Sequence, residues 1–274
     1  MMTFGVADFA VALAGRSLIH TRQILAITAL QQTVSLIPLA IAVIFVVEGN
    51  ADWGDFGWAI TAGLTLGIAK PLLYAGLTFG SIVIFAPLVG VLSIIIPFTV
   101  SISRGETLGM LGFLGVVVAI PAIVLISIGK NPNSAHWSML RTLTVASATG
   151  IIFALGSLAI GEMDAQAGIA PALVSASVAV GIILSIFRVK GQPIQIRSKE
   201  SSLAALAGLL EGIGFAFFVL ALQQGLVSVT SALAAMTPLV VVALAWLLIH
   251  EPLQRLQTVG IGLALIAVLA LSLN

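Results

Sequence analysis

Gly63-Leu64-Thr65-Leu66-Gly67 and Gly208-Leu209-Leu210-Glu211-Gly212 stand 145 residues apart, and that interval lays one half of the chain on the other. With no gap, Gly80 falls on Gly225, Glu106 on Glu251, Gly115 on Gly260 and Ser127 on Ser272. Leu13 and Leu158, Leu77 and Leu222, Leu88 and Leu233, and Ala119 and Ala264 keep the same register. Matches of Leu and Ala arise easily in an apolar chain, but matches of Gly and of an isolated Glu at one offset do not. Two homologous halves in a very hydrophobic chain point to a membrane transporter with its site between the repeats.

Composition sets the class. The 274 residues are 60% hydrophobic and only 8% charged, against about 25% charged in soluble domains. A core of this length cannot hide so much apolar surface, so lipid must cover the outside. A net charge of +1 offers no concentrated basic surface for nucleic acid. Without cysteine there is no disulfide framework, thiolate metal site or Cys nucleophile. No cleavable signal peptide is evident, because the N-terminus lacks a basic n-region.

Spanning helices need roughly 17–25 apolar residues. On that measure helices are expected over 24–47, 57–78, 82–102, 108–128, 139–160, 170–187, 203–222, 228–249 and 257–273, with a short first helix over 1–14. The repeat places Gly5 on Gly150, inside the helix at 139–160, so the first helix reads as a repeat helix shortened by about two turns. The expected fold is therefore all-α and integral to the membrane, with ten transmembrane helices. Residues 1–130 form one five-helix repeat, 131–136 a Pro/Asn linker and 137–274 the second repeat. An odd number of helices per repeat makes the pair inverted about an axis in the membrane plane.

Lys and Arg orient the chain. One side would hold Arg16, Arg22, Lys130, Arg141, Arg188, Lys190, Arg197, Lys199 and Arg255, and the other only Arg104 beside Glu48, Asp52, Asp55, Glu162 and Asp164. The basic side is expected to be cytoplasmic, which fits a bacterial inner membrane with both termini outside.

Motifs for catalysis are missing. His20, His136 and His250 are isolated in expected loops, and neither a His-Glu-x-x-His, a Gly-x-Ser-x-Gly nor a phosphate-binding loop occurs. No enzyme, cofactor or metal site is expected. The informative residues are the ionisable groups inside expected spans, Asp8, Lys70 and Glu211. An ionised side chain at mid-bilayer costs about 2.5–3.5 kcal/mol even on the lenient insertion scale, so it faces a wet cavity or a partner. Lys70 lies past the middle of its helix and Glu211 before the middle of its own. The two helices run oppositely, so both are displaced toward the basic side, as is Asp8. In the 145-residue register Glu211 falls on Leu66, one turn before Lys70. These three are candidates for binding substrate or a proton; Lys70 and Glu211 also fit a buried pair that only locks the halves together.

Gln31, Gln32, Thr33 and Ser35 give one helix a polar stripe suited to lining a cavity or to interhelical hydrogen bonds. The Gly63/Gly67 and Gly208/Gly212 pairs let backbones approach closely, and their recurrence suggests that these two helices pack near the pseudo-axis. Pro71, Pro87, Pro97 and Pro238 remove helix hydrogen bonds and are expected to bend their helices.

Arg104-Gly105-Glu106-Thr107-Leu108 and His250-Glu251-Pro252-Leu253 resemble the Gly-Glu or His-Glu signature, followed by Leu, of the EamA-like branch of the drug/metabolite transporter superfamily. Residues 77–127 and 222–272 resemble that family's most recognisable stretch, and Phe4-Gly5-Val6-Ala7-Asp8-Phe9 resembles its first helix. The resemblance implies ten helices in two inverted repeats, a central cavity, and export or exchange of small metabolites. The signature glutamates stand at helix starts, where a carboxylate suits the helix dipole, and read as structural. Lys70 belongs to no motif of the family. The expected protein is a secondary transporter of a small, amino-acid-like or other polar solute. An uncoupled facilitator and a non-transporting scaffold are the alternatives, and monomer and homodimer both stay open.

Overall fold

Helix α2, Thr21–Phe45, shows how this chain builds itself: its polar side faces inward. Thr28, Gln31, Gln32 and Ser35 are buried, while Ile37, Ile41 and Ile44 are exposed along the opposite stripe. The spacing is that of one helical face, but with the apolar side turned out, as lipid requires and water forbids. Likewise Ile60, Leu64 and Ile68 are exposed on one helix and Leu206, Leu209, Ile213 and Phe217 on another. The protein is an integral membrane protein.

The structure, a computed structural model, describes residues 2–16, 21–45, 49–103, 109–127, 136–164, 166–189, 198–223, 237–250 and 255–273. Among the described residues there are ten α-helices and no strand. Besides α2 these are α1 (Met2–Arg16), α3 (Trp53–Phe79), α4 (Ile82–Ser103), α5 (Met110–Ser127), α6 (Met139–Gly161), α7 (Ala170–Val189), α8 (Ser198–Gln223), α9 (Thr237–Ile249) and α10 (Arg255–Ser272). Among the described residues five segments are long and apolar enough to cross a membrane: Gln23–Phe45, Trp53–Phe79, Met139–Gly161, Ala170–Arg188 and Lys199–Leu220. Met2–Gly15, Ile84–Pro97 and Thr258–Ala267 are shorter apolar helices. Helices continue through Pro71 in α3 and through Pro87 and Pro97 in α4, and also through Pro38 and Pro121.

Helices α3 and α8 begin four and five residues earlier than hydropathy suggests. Asp52 caps α3: its carboxylate accepts from the Asp55 amide, and the Asp55 side chain accepts from the Asp52 amide, each at 2.9 Å. This reciprocal box starts the helix four residues before the expected Gly57 and contributes about 0.5–2 kcal/mol. α8 starts at Ser198 rather than Leu203 because the polar turn Ser198-Lys199-Glu200-Ser201-Ser202 is helical. Glu211 therefore stands at the middle of its helix rather than before it. The signature residues Glu106 and Glu251, residues 131–135 of the expected linker, His20 and the first part of the expected ninth helix lie outside the described residues.

The larger contacts between helices follow a pattern. α2 packs on α8, and α7 packs on α3; α1 packs on α8, and α6 on α3; α4 packs on α6, and α9 on α1. In each pair the second contact is the first moved five helices along the chain. The contacts α5·α10, α2·α7 and α4·α9 map onto themselves.

The ends of the bundle are tied differently. At one end the Asp164 amide donates to Asp55 Oδ1 at 2.7 Å, and the Asn50 amide donates to the Gln166 carbonyl at 2.9 Å. The α2–α3 connection is thus held to the α6–α7 connection. At the other end the Phe79 carbonyl, left free where α3 stops, accepts from the amides of His136 and Trp137, both at 2.9 Å.

Candidate functional site: a buried charge cluster

Glycine decides where the charged residues meet. A Cβ on Gly208 would collide with the Gln31 carbonyl oxygen, and one on Gly212 with the Ser35 carbonyl oxygen. The backbones of α8 and α2 are therefore in contact on both sides of Glu211. On α3, a Cβ at Gly63 would lie 2.5 Å from the Ser175 carbonyl oxygen, and one at Gly67 would lie 2.8 Å from Ile182 Cβ. The two glycine helices thus seat on α2 and α7, each from the opposite half. A small-residue pair signals close approach but does not name the partner. The register also slips: Gln31 corresponds in packing to Ser175, one residue short of the ungapped 145.

With α8 pressed against α2, Gln32 Nε2 reaches Glu211 Oε1 at 2.8 Å. Lys70 comes from the buried face of α3, where Gly63, Gly67, Lys70 and Tyr74 follow one another at helical spacing. Its Nζ lies 2.8 Å from Glu211 Oε1 and 3.8 Å from Asp8 Oδ1 on α1. The structure thus brings Asp8, Lys70 and Glu211 together, all buried. Burying these ions carries a large desolvation penalty, offset only when partners and hydrogen bonds are complete. Both oxygens of Glu211 have donors, Oε1 from Lys70 and Gln32 and Oε2 from the Tyr74 hydroxyl at 3.3 Å.

Tyr74 is the residue the sequence reading missed. It is fully buried, and its hydroxyl also lies 3.2 Å from Asp8 Oδ1. It is the chain's one tyrosine and stands one turn beyond Lys70, which was the available signal. The rings of Tyr74 and Phe153 flank Lys70 Nζ at 5.6 and 6.0 Å, a range in which a ring face attracts a cation.

The polar stripe of α2 divides. Gln32 bonds Glu211 and also donates to Gln31 Oε1 at 2.9 Å. The hydroxyls of Ser35 and Thr33 turn back to carbonyls of their own helix, those of Gln32 and Ala29. Among the described residues no group of three or more His, Cys, Asp or Glu is placed to hold a metal ion. A cluster of this kind can bind a charged solute or a proton between helices of both halves.

A sequence model of the EamA-like transporter family matches residues 129–273, more than half of the chain. The chain belongs to the EamA-like transporter family. As a member it is a membrane transporter of small solutes. A solved structure titled "Crystal structure of protein" is similar in fold, with a TM-score of 0.63 over 98% of this chain and 94% of its own. At 13% identity that likeness shows the fold alone. Among curated proteins no sequence matches. The family match covers the half that carries Glu211, while Asp8, Lys70 and Tyr74 come from the other half.

Proposed function

We propose that this EamA-like protein is a secondary transporter that moves a small polar metabolite by alternating access, with export as the expected direction. Its ten helices form two inverted five-helix repeats, residues 1–130 and 137–274, and the basic loops lie on the cytoplasmic face of a bacterial inner membrane. The five-helix periodicity of the larger contacts supports the repeat, because in each of them a helix from one half seats on one from the other. Glu211 is the substrate- or proton-binding carboxylate, Lys70 its counter-charge and Asp8 a second carboxylate at the same site. Gln32 and Tyr74 orient Glu211, and Gln31 and Ser35 border it.

The observation that carries this reading is the buried cluster itself. Three ionisable groups from α1, α3 and α8 converge in the interior of a membrane protein, with Lys70 Nζ 2.8 Å from Glu211 and 3.8 Å from Asp8. A bilayer-embedded scaffold has no need of so costly a centre. The test is transport by the purified protein in liposomes with an imposed pH gradient, using labelled amino acids, amines and sugars. Saturable accumulation of at least one solute that collapses with the gradient is expected. Movement that ignores the gradient would favour an uncoupled facilitator, and no movement of any solute would favour a scaffold.

A further inference from the structure

Counted as charges, the cluster does not balance. Asp8 and Glu211 are two carboxylates and Lys70 is one ammonium, all buried. Among the described residues the other groups in contact with them are uncharged: Tyr74 from α3, Gln32 from α2 and Phe153 from α6. An uncompensated charge in a low-dielectric interior is strongly disfavoured, so these protein groups by themselves need one more positive charge.

The hydrogen bonds need it too. Tyr74 Oη lies 3.2 Å from Asp8 Oδ1 and 3.3 Å from Glu211 Oε2, but a phenol has one hydrogen to donate. With both carboxylates ionised, one of these contacts sets oxygen against oxygen with no proton between them. A proton on either carboxyl supplies the missing donor and the missing charge together.

Gln31 adds a third deficit, one of hydrogen bonding. Ionised Glu211 only accepts, so the amide of Gln32 must present its nitrogen, and that nitrogen also fixes Gln31 Oε1 as an acceptor. Gln31 Nε2 is left buried and without a partner among the described residues. A buried amide donor of this kind waits for an acceptor.

We propose that the site binds a small organic monocation carrying an ammonium group and an oxygen acceptor, in one-for-one exchange for a proton held by Asp8 or Glu211. This rests on the transporter reading and names its substrate class. When the cation arrives, the O–H bond of the protonated carboxyl breaks, its proton leaves to water, and the ammonium takes its place beside the carboxylates. The charge of the site is the same before and after. Gln31 Nε2 donates to the oxygen of the cation. A zwitterion would bring no net charge and leave the proton in place, and an anion would enlarge the imbalance.

The test uses the full chain in liposomes that enclose a pH-sensitive dye. The probes are tetramethylammonium and choline, which carry permanent charge and do not cross as free bases, with leucine and glucose as the zwitterionic and neutral comparisons. Choline uptake should expel one proton per cation and should not change when the membrane potential is clamped. Asp8→Asn leaves one carboxylate and one ammonium, balanced without a proton, and should lower choline-driven proton release by about tenfold or more. Asp8→Asn with Lys70→Met leaves Glu211 alone, restores the single excess charge, and should recover most of the exchange. Gln31→Leu should abolish the preference for choline over tetramethylammonium. Protection of the detergent-solubilised protein against heat by choline, stronger at high pH than at low, reads binding without transport. Choline movement without protons, or full proton release by Asp8→Asn, would overturn the proposal. Leucine or glucose carried while neither cation binds or moves would overturn it and leave the transporter reading intact. If no solute moved and no cation protected, both would fall.

Discussion

Lys70 and Phe215 fall on each other in the 145-residue register of the sequence, and their surroundings could hardly differ more. Lys70 meets Glu211, Asp8 and the rings of Tyr74 and Phe153. Phe215 packs against an apolar cluster of Leu39, Ala42, Ile169, Ala172, Ala176 and Ala216 and stacks with Phe218. The same contrast runs through the rest of the site. Asp8 corresponds to Phe153, Glu211 to Leu66 and Tyr74 to Val219. Helix pairing is shared between the halves, since each glycine helix seats on the second helix of the other. Charge is not shared. The glycine contacts are alike in the two halves while the charges stand in one of them, so the charged region is where a solute is to be sought.

The largest effect expected from breaking this contrast is at Lys70. Lys70→Met removes the one ammonium beside Asp8 and Glu211 and should destabilise the protein by about 3–5 kcal/mol, measured by thermal unfolding in detergent. Glu211→Leu leaves Lys70 with Asp8 at 3.8 Å and should cost less, about 1–3 kcal/mol. Lys70→Met combined with Glu211→Leu should be better folded than Lys70→Met alone. A double variant as unstable as Lys70→Met would argue that the two do not act as a pair.

Next come the glycines, where the comparison can be sharpened. Gly63→Ala drives a methyl toward the Ser175 carbonyl and Gly208→Ala drives one toward the Gln31 carbonyl, each costing about 1–3 kcal/mol by overpacking. The losses should be alike because the packing is alike. Transport per folded molecule should fall only for Gly208→Ala, whose displaced neighbour Gln31 adjoins the Gln32–Glu211 bond. Equal transport defects would put the site in the shared packing rather than in the charged region.

The smallest effect is expected at Gly181, in the middle of α7, where an added Cβ meets nothing within 4 Å. Gly181→Ala should leave transport unchanged and raise stability by about 0.4–1 kcal/mol, through the lower entropy of the unfolded chain. A loss at this position would show that α7 has a partner on its open side.

Much of this was readable in the sequence because glycine and charge are rare in an apolar chain and so carry information wherever they stand. The trio Asp8, Lys70 and Glu211 was visible for that reason, as were the helices that hold it. Tyr74 was not, because nothing in its neighbourhood says how α3 is rotated relative to α1 and α8. The partner of each glycine pair was equally hidden, since a Gly-x-x-x-Gly step marks closeness and leaves the approaching helix unnamed. The polar first turn of α8 looked like loop because hydropathy cannot distinguish a solvated helical turn from an irregular one. The single-residue slip of α2 against α7 needed backbone contacts to be seen at all.

The central claim is that the charged region couples transport to protons, and Glu211→Gln tests it most directly. Glutamine keeps the volume and hydrogen-bonding reach of Glu211 and removes its titration. Accumulation driven by a pH gradient is to be measured in liposomes for native and variant protein at equal folded amount. The account predicts that Glu211→Gln inserts, folds and still binds or exchanges solute, while gradient-driven accumulation is lost. Full gradient-driven accumulation by a well-folded Glu211→Gln protein would contradict it.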